Sequence, residues 1–458
     1  MRIASNIIET IKAKADIVEV IGEYVHLTKK GQNFIGLCPF HNDSTPSLTV
    51  SSAKGIYKCF ACDASGDVIK FLQEYLNISF VEAVKMLAKK YGVEIPEDSY
   101  SSIGDEDQRK RESMFIINDY ASKYYAENLF ADTDEARKAL YYATNRWPQD
   151  FIRTFGIGYA SNSWDSFSLW ANGKGLDKDL MLELGLVKEK STNDDVYDTF
   201  RGRIMIPIRD KQHRIIAFTA RLLPDILAHD PNAPKYINSS TSLIYDKGNS
   251  LFGIDVAWNV ASKAGVMNLV EGAPDVMRLQ VIGASNTVAP LGSSWTEAQL
   301  SMLKRITDRL NIIPDSDIPK EGEHFGVGFT SAMRTGKLAL SLGFIVTIQE
   351  IPIGDWKNDP DSYLVSKDKL DELTRQDFVM WYASKVINLD GENIPQQAKA
   401  IHEVVELVKA IPDKVLQESY TDKLIRVYGH EDMWKREIMG IQSMPAPVVS
   451  SAISDEEY

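Results

Sequence analysis

The sequence predicts a multidomain α+β protein, on three observations. A paired Cys/His pattern sits among short β-rich segments near the start, strands and helices alternate from residue 265, and residues 368–437 are almost all helix-forming and amphipathic. The 458 residues allow about three domains at roughly 150 residues each. With 44% hydrophobic and 25% charged residues, wholesale disorder is excluded. No run approaches the roughly 18 apolar residues of a membrane span, and the first residues lack the apolar core of a secretory signal. The expected compartment is the cytoplasm.

Each element follows from local pattern. Residues 3–25 place Ile7, Ile8, Ile11, Ile17, Val18 and Ile21 at helical spacing. Residues 33–37, 47–50 and 56–60 read as short strands between turn-forming residues, and helices follow near 66–76 and 79–91. A polar stretch, 96–107, reads as a linker, and 112–187 as largely helical. Strands flank the turn-like Arg209-Asp210-Lys211-Gln212-His213. Apolar runs at 265–270, 286–290, 310–313 and 344–351 then alternate with helices over 273–282, 295–309 and 329–343. That order implies a parallel α/β sheet. The expected boundaries are 1–97, a linker over 98–111, 112–250, 251–366, a helical subdomain over 367–438 and a flexible acidic tail over 439–458.

The formal charge is −13, with 51 Lys+Arg against 64 Asp+Glu, which taken alone argues against a nucleic-acid partner. The charge is segregated, however. Residues 201–221 hold Arg201, Arg203, Arg209, Lys211, Arg214 and Arg221 against the single acid Asp210, so partners are argued locally.

All three cysteines fall in one pattern: Cys38-Pro-Phe-His41, then seventeen residues, then Cys59-Phe-Ala-Cys62. Two tight knuckles, each offering two ligands between strand-like segments, describe a zinc ribbon with a tetrahedral site. Four protein ligands close the shell, so one structural Zn²⁺ is expected at Cys38, His41, Cys59 and Cys62. Phe34, Phe40, Tyr57 and Phe60 stand among Lys29, Lys30, Lys54 and Lys58. Such a mixture suits base stacking and phosphate neutralisation; some of these rings must also form the ribbon's small core.

Three acidic clusters follow strands of the α/β region: Glu271 with Asp275, Asp315 with Asp317, and Asp359 with Asp361. Each alone reads as a cap or turn. Together, at successive strand ends of one sheet, they predict converging carboxylates that hold Mg²⁺ or Mn²⁺.

On these residues the chain resembles the DnaG-type DNA primases of bacteria and phages, from residue 3 to about 430. The first part carries Cys38-Pro-Phe-His41, Thr45-Pro-Ser-Leu48, Tyr57-Lys-Cys-Phe-Ala-Cys62 and Gly66-Asp67. The middle carries Arg201-Gly-Arg-Ile-Met-Ile-Pro-Ile-Arg-Asp210, Ala220-Arg221 and Pro234-Lys-Tyr-Ile-Asn238, and the third part begins at Glu271-Gly-Ala-Pro-Asp275. The resemblance implies an N-terminal zinc-ribbon DNA-binding domain, a mixed α/β polymerase region with a Toprim parallel α/β core over 251–366, and a C-terminal helical subdomain. It puts Glu271, Asp275, Asp315, Asp317, Asp359 and Asp361 on the family's metal positions, with Glu271, Asp315 and Asp317 catalytic. It puts Arg146, Arg201, Arg203, Arg221 and Lys235 on template- and nucleotide-binding positions. The sequence departs from the family at Ser316, where glycine is usual, at Trp147, at Ala273-Pro274, and in an inserted loop over 318–328. The family's helicase-docking domain is expected to be missing, which suggests a phage or mobile-element primase, or one that docks differently.

The implied activity is synthesis of RNA primers from ribonucleoside triphosphates on single-stranded DNA, with Mg²⁺ serving phosphoryl transfer and Glu271 as proton acceptor. A replicative helicase would be met through a surface the sequence does not identify. The alternative is a Toprim-type nuclease or strand-cleaving enzyme. A catalytically dead single-strand-binding module is a third reading, disfavoured by the intact acidic set.

Overall fold

Strand Leu48–Ser51 buries Leu48 and Val50 and turns its other two side chains outward, and strand Ile56–Cys59 does the same with Tyr57 and Cys59. A period of two creates one apolar face for a core. In the computed structural model these strands lie in an antiparallel five-stranded sheet. Its order is Thr28–Lys30, Asn33–Gly36, Leu48–Ser51, Ile56–Cys59, Ser65–Gly66. Helices Val68–Leu76 and Phe80–Tyr91 cover it through Phe71, Leu72, Val84 and Leu87. The helix expected over 3–25 is two, Ser5–Lys14 and Ile17–Gly22, because the Asp16 carboxylate accepts from the Val18 N–H and starts a second helix.

The structure describes residues 5–41, 43, 45–62, 64–76, 78, 80–93, 102–190, 195–321, 325–354, 358–387 and 394–440. The chain divides into two compact units, residues 1–307 with 359–370 and residues 308–358 with 371–458. This division cuts across the span 251–366 expected as one domain. Among the described residues no helix is long and apolar enough to cross a membrane.

In the first unit, much of the expected linker is helical. Residues 102–111 begin the 28-residue helix Ser102–Leu129, on which Glu106, Asp107, Arg109 and Arg111 are exposed. That helix packs on a four-stranded antiparallel sheet ordered Tyr236–Asn238, Ile215–Leu222, Arg203–Arg209, Gly158–Ala160. Gly158 is required there, since a Cβ would lie 2.4 Å from the Tyr125 carbonyl carbon. The hairpin pairs Arg203 with Leu222 at its open end and Arg209 with Ile215 at its tip, about 20 Å apart at roughly 3.3 Å per residue. At the tip the Asp210 carboxylate accepts from the N–H groups of Gln212 and Arg214.

The expected parallel pairings are present. In the first unit Met267–Leu269 runs parallel to Thr287–Pro290, with Leu251–Phe252 antiparallel beyond it. In the second unit Arg309–Ile312 runs parallel to Ile345–Gln349, with Arg375–Asp377 antiparallel beyond it. Arg375–Asp377 lies inside the span expected to be helical. Its sequence carries no β signal, and its extended form comes from backbone pairing with Ile345–Gln349. Helices Phe378–Ile387, Ile394–Lys409 and Lys414–Tyr428 follow, burying Val404, Val405, Val408 and Leu424. The expected acidic tail beyond residue 440 lies outside the described residues.

Candidate functional site

The knuckles of the N-terminal ribbon adjoin strands with apolar inner faces, which buries Cys38 and Cys59. The ligand atoms of Cys38, His41, Cys59 and Cys62 all lie within 4.8 Å of one another. The Cys38 and Cys62 sulfurs are 3.8 Å apart, and Cys59 Sγ is 3.9 Å from His41 Nδ1. A tetrahedron with metal–sulfur bonds of about 2.3 Å has edges of about 3.8 Å, so the donor set fits Zn²⁺. Behind it, Asp43 accepts from the Cys38 N–H at 2.8 Å and from the Ser47 hydroxyl at 2.6 Å. Burial alone would raise the Asp43 pKa, but the Ser47 hydroxyl and the backbone N–H groups outweigh it and hold the pKa at about 2. Asp43 Oδ1 also lies 3.7 Å from His41 Nε2, a carboxylate facing the imidazole nitrogen opposite the ligand atom. Sequence reasoning missed Asp43; its only signal was an acid beside Thr45-Pro46, a turn pattern.

The ribbon aromatics divide. Tyr57 is fully buried, and Phe40 packs 5.7 Å from the Tyr57 ring and 5.4 Å from Phe71. Phe60 is 72% exposed, with Lys58 Nζ 5.7 Å from its ring.

The first unit holds Glu271, Asp275, Asp359 and Asp361. Glu271 is half-buried after strand Met267–Leu269. Asp275, in the first turn of helix Ala273–Val281, accepts from the N–H of Gly272 at 3.0 Å and of Asp361 at 3.1 Å. The buried Asp361 carboxylate pairs with Arg146 and lies 3.4 Å from Arg278 Nε. Arg278 also donates to the Asp361 carbonyl at 2.9 Å and the Arg146 carbonyl at 2.8 Å. Asp359 caps helix Pro360–Tyr363 through the Ser362 N–H at 2.8 Å. Asp361 thus faces two arginines, which offset and orient its charge. Asp361→Asn should therefore lower stability by about 3 kcal/mol, because it leaves Arg146 and Arg278 without their counter-charge. Thermal melting checks this, and an unchanged midpoint would contradict it.

The second unit holds Asp315 and Asp317. Between them Ser316 exchanges both backbone hydrogen bonds with Asn358, at 2.7 and 3.2 Å. In an extended segment residues i and i+2 share a face, so the two carboxylates project together. The segment is clamped from behind. A Cβ at Gly328 would lie 2.1 Å from the Asp315 carbonyl oxygen, and one at Gly326 would lie 2.4 Å from that of Asp317. Asp317 Oδ2 accepts from the Gly328 N–H at 2.9 Å, at the start of helix Val327–Ser341. The inserted loop, of which 322–324 lie outside the described residues, thus returns to back the two acids.

The basic residues divide as well. Arg203 is buried, and its Nη1 donates to the carbonyls of Ala220, Pro234 and Lys235. Burial, with the nearby Arg201 charge, lowers its pKa to about 10. It ties strand ends together through those three carbonyls. Arg146 is likewise taken up by Asp361 and the Tyr142 hydroxyl. Arg201 stacks 3.9 Å from the Trp164 ring, and Lys235 is exposed. The Arg221 guanidinium lies 4.8 Å from the Tyr142 ring and 5.7 Å from that of Tyr236. Its Nε and Nη1 are buried with no hydrogen-bond partner among the described residues. A guanidinium held on rings with unused donors is ready for an anion. Sequence reasoning missed Arg278, Tyr142 and Trp164, which carry no motif, and met Tyr236 only as part of Pro234-Lys-Tyr-Ile-Asn238.

Comparison with known proteins agrees with this architecture. Residues 3–102 match the CHC2 zinc finger model, residues 124–258 the N-terminal domain of the DNA primase catalytic core, and residues 376–431 the DnaB-helicase binding domain of primase. The chain is 34% identical over 432 residues to the DNA primase of Clostridium acetobutylicum, covering 92% of this chain and 68% of the relative. It is 35% identical over 421 residues to that of Halalkalibacterium halodurans, covering 90% and 67%. The crystal structure of the zinc-binding and RNA polymerase domains of the Aquifex aeolicus primase is similar at a TM-score of 0.58 and 29% identity. That match covers 95% of this chain and 99% of that chain. The match over 376–431 overturns the expected absence of a helicase-docking region, and with it the reason for a phage or mobile-element origin. Short amphipathic helices without motif residues give a sequence reader nothing to tell such a region from an ordinary subdomain.

Proposed function

The chain belongs to the DnaG-type DNA primases, and from that premise we propose how its residues divide the work of making RNA primers. Asp315 and Asp317 offer carboxylate oxygens to Mg²⁺ or Mn²⁺, the hard donors such ions take. Bound there, the ion offsets the charge of the triphosphate and of the leaving pyrophosphate. Glu271 accepts the proton of the attacking 3′ hydroxyl. Asp275, Asp359 and Asp361 are positioning residues that hold helix starts and the Arg146–Arg278 pair. Arg221, Arg201 and Lys235 take phosphates of the single-stranded DNA template or of the incoming ribonucleoside triphosphates, and Phe60 stacks on a template base.

The observation that carries this reading is the Asp315–Ser316–Asp317 segment, bonded to Asn358 on one side and backed by Gly326 and Gly328 on the other. A helix cap alone does not require such a clamp. The test is incubation with single-stranded DNA, labelled ribonucleotides and Mg²⁺. Short RNA is the expected product, and strand scission without RNA would favour the nuclease reading instead. Residues 376–431 are the proposed contact to a replicative helicase, and the cytoplasm is the proposed compartment.

Arg221→Ala should weaken single-stranded DNA binding and reduce the slope of log affinity against log salt by about 0.7, the loss of one phosphate contact. A filter-binding series over salt measures it. An unchanged slope would move the template contact to other residues.

A further inference from the structure

A second cationic site lies in the first unit at the hairpin tip, about 20 Å along the strands from the end that carries Arg203 and Arg221. Arg209, Lys211, Arg214 and Arg305 line a cavity of about 470 Å³ there, with Asp210 as the acid among them. In a chain of net charge −13 this is a strong local excess of positive charge. Asp210 is spent on Arg214, at 2.7 Å. Among the described residues Lys211 and Arg305 have no ion-pair partner. Lys211 Nζ rests 3.6 Å from the Trp258 ring centre, which orients the ammonium without neutralising it. Burial, with the like charge of Arg305 added, lowers the Lys211 pKa to about 8. An anion in the cavity would reverse that shift.

Leu251, Ile254 and Met302 give the cavity an apolar part, beside the polar Asn249, Ser250 and Ser301. The volume falls within the roughly 300–1,000 Å³ typical of small-molecule pockets. The aromatic rings nearby are already covered: Arg214 lies over Phe115 at 4.2 Å, Arg209 over Phe155 at 5.2 Å and Lys211 over Trp258. Among the described residues no aromatic ring lines the cavity as a stacking platform for successive bases, which a single-strand groove would need. A cavity lined by both cations and apolar groups suits one small phosphate-bearing molecule.

We propose that this cavity binds a free nucleoside di- or triphosphate, its phosphates on Lys211, Arg209 and Arg305 and its base against Leu251, Ile254 and Met302. The site is separate from the acids of primer synthesis and does not depend on their assignment.

The test uses the zinc-loaded full chain without added divalent metal. Acylation of Lys211 by an amine-reactive reagent is followed by mass spectrometry with ATP, with inorganic pyrophosphate, or with a thymidine oligonucleotide. ATP and pyrophosphate should slow labelling of Lys211 at least about tenfold, equally in the parental chain and in Asp315→Asn. Lys211→Met combined with Arg305→Ser should weaken ATP binding at least about tenfold by calorimetry, with an unchanged melting midpoint. Undiminished labelling at about 10 mM ATP overturns the site. Protection by the oligonucleotide and not by ATP overturns it too, since the cavity would then belong to a nucleic-acid path.

Discussion

Asp315→Asn and Glu271→Gln should each lower primer synthesis by orders of magnitude while the protein stays folded. Asp315 and Asp317 share one face of a clamped, half-buried segment. At the roughly 6.6 Å between alternate residues of an extended segment, two carboxylates at an effective dielectric near 20 repel by roughly 2.5 kcal/mol. Removing one charge relieves that repulsion, so the melting midpoint of Asp315→Asn without Mg²⁺ should stay level or rise. Asp317→Asn should behave differently in stability. Its Oδ2 accepts from the Gly328 N–H, and weakening that bond should cost about 1 kcal/mol. Primer synthesis measured beside thermal melting, with and without Mg²⁺, separates the two roles. An Asp315→Asn protein that makes primers at near the parental rate would refute the assignment of the metal-binding acids.

Replacing a zinc ligand should have the largest effect on folding. In Cys59→Ser the site loses a buried thiolate at the end of strand Ile56–Cys59. Structural zinc contributes roughly 10–16 kcal/mol of apparent binding energy, and in a domain this small that is folding energy. Leu48, Val50 and Tyr57, all fully buried, would lose the sheet that covers them. The expected result is zinc content near zero and loss of amide protection across residues 28–66. Protection should persist in helix Ser102–Leu129, whose Met114, Ala121 and Tyr125 belong to a separate core. Full protection of the ribbon in the variant, or a zinc-free parental protein, would sink the prediction. Asp43→Asn is the milder companion. It keeps the four ligands and removes the charge facing His41, so it should lower zinc affinity about 10- to 100-fold with the ribbon still folded.

The zinc site was legible in the sequence because a knuckle is local: two ligands separated by two residues come from one tight turn wherever the chain goes. The strand–helix order of the α/β region was legible for the same reason, since periodicity is a property of neighbours. Family membership came from the same short-range patterns. What the charged residues do was decided elsewhere. Asp361 meets Arg146 across 215 positions, Arg278 meets the Arg146 carbonyl across 132, and Asp275 meets the Asp361 N–H across 86. No window of sequence contains both members of any such pair, so an acid held by an arginine and an acid waiting for a metal look alike. Arg203 and Arg221 make the point within one hairpin. Both are arginines of the basic run, yet one spends its donors on three carbonyls and the other keeps two unused. Arg375–Asp377 is a strand because the backbone of Ile345–Gln349 is there to pair with it. The sequence by itself determined the local elements, the zinc ligands and the family. Tertiary structure alone decided which charges are neutralised inside the fold and which remain for a ligand, because burial and counter-charge are properties of the assembled chain.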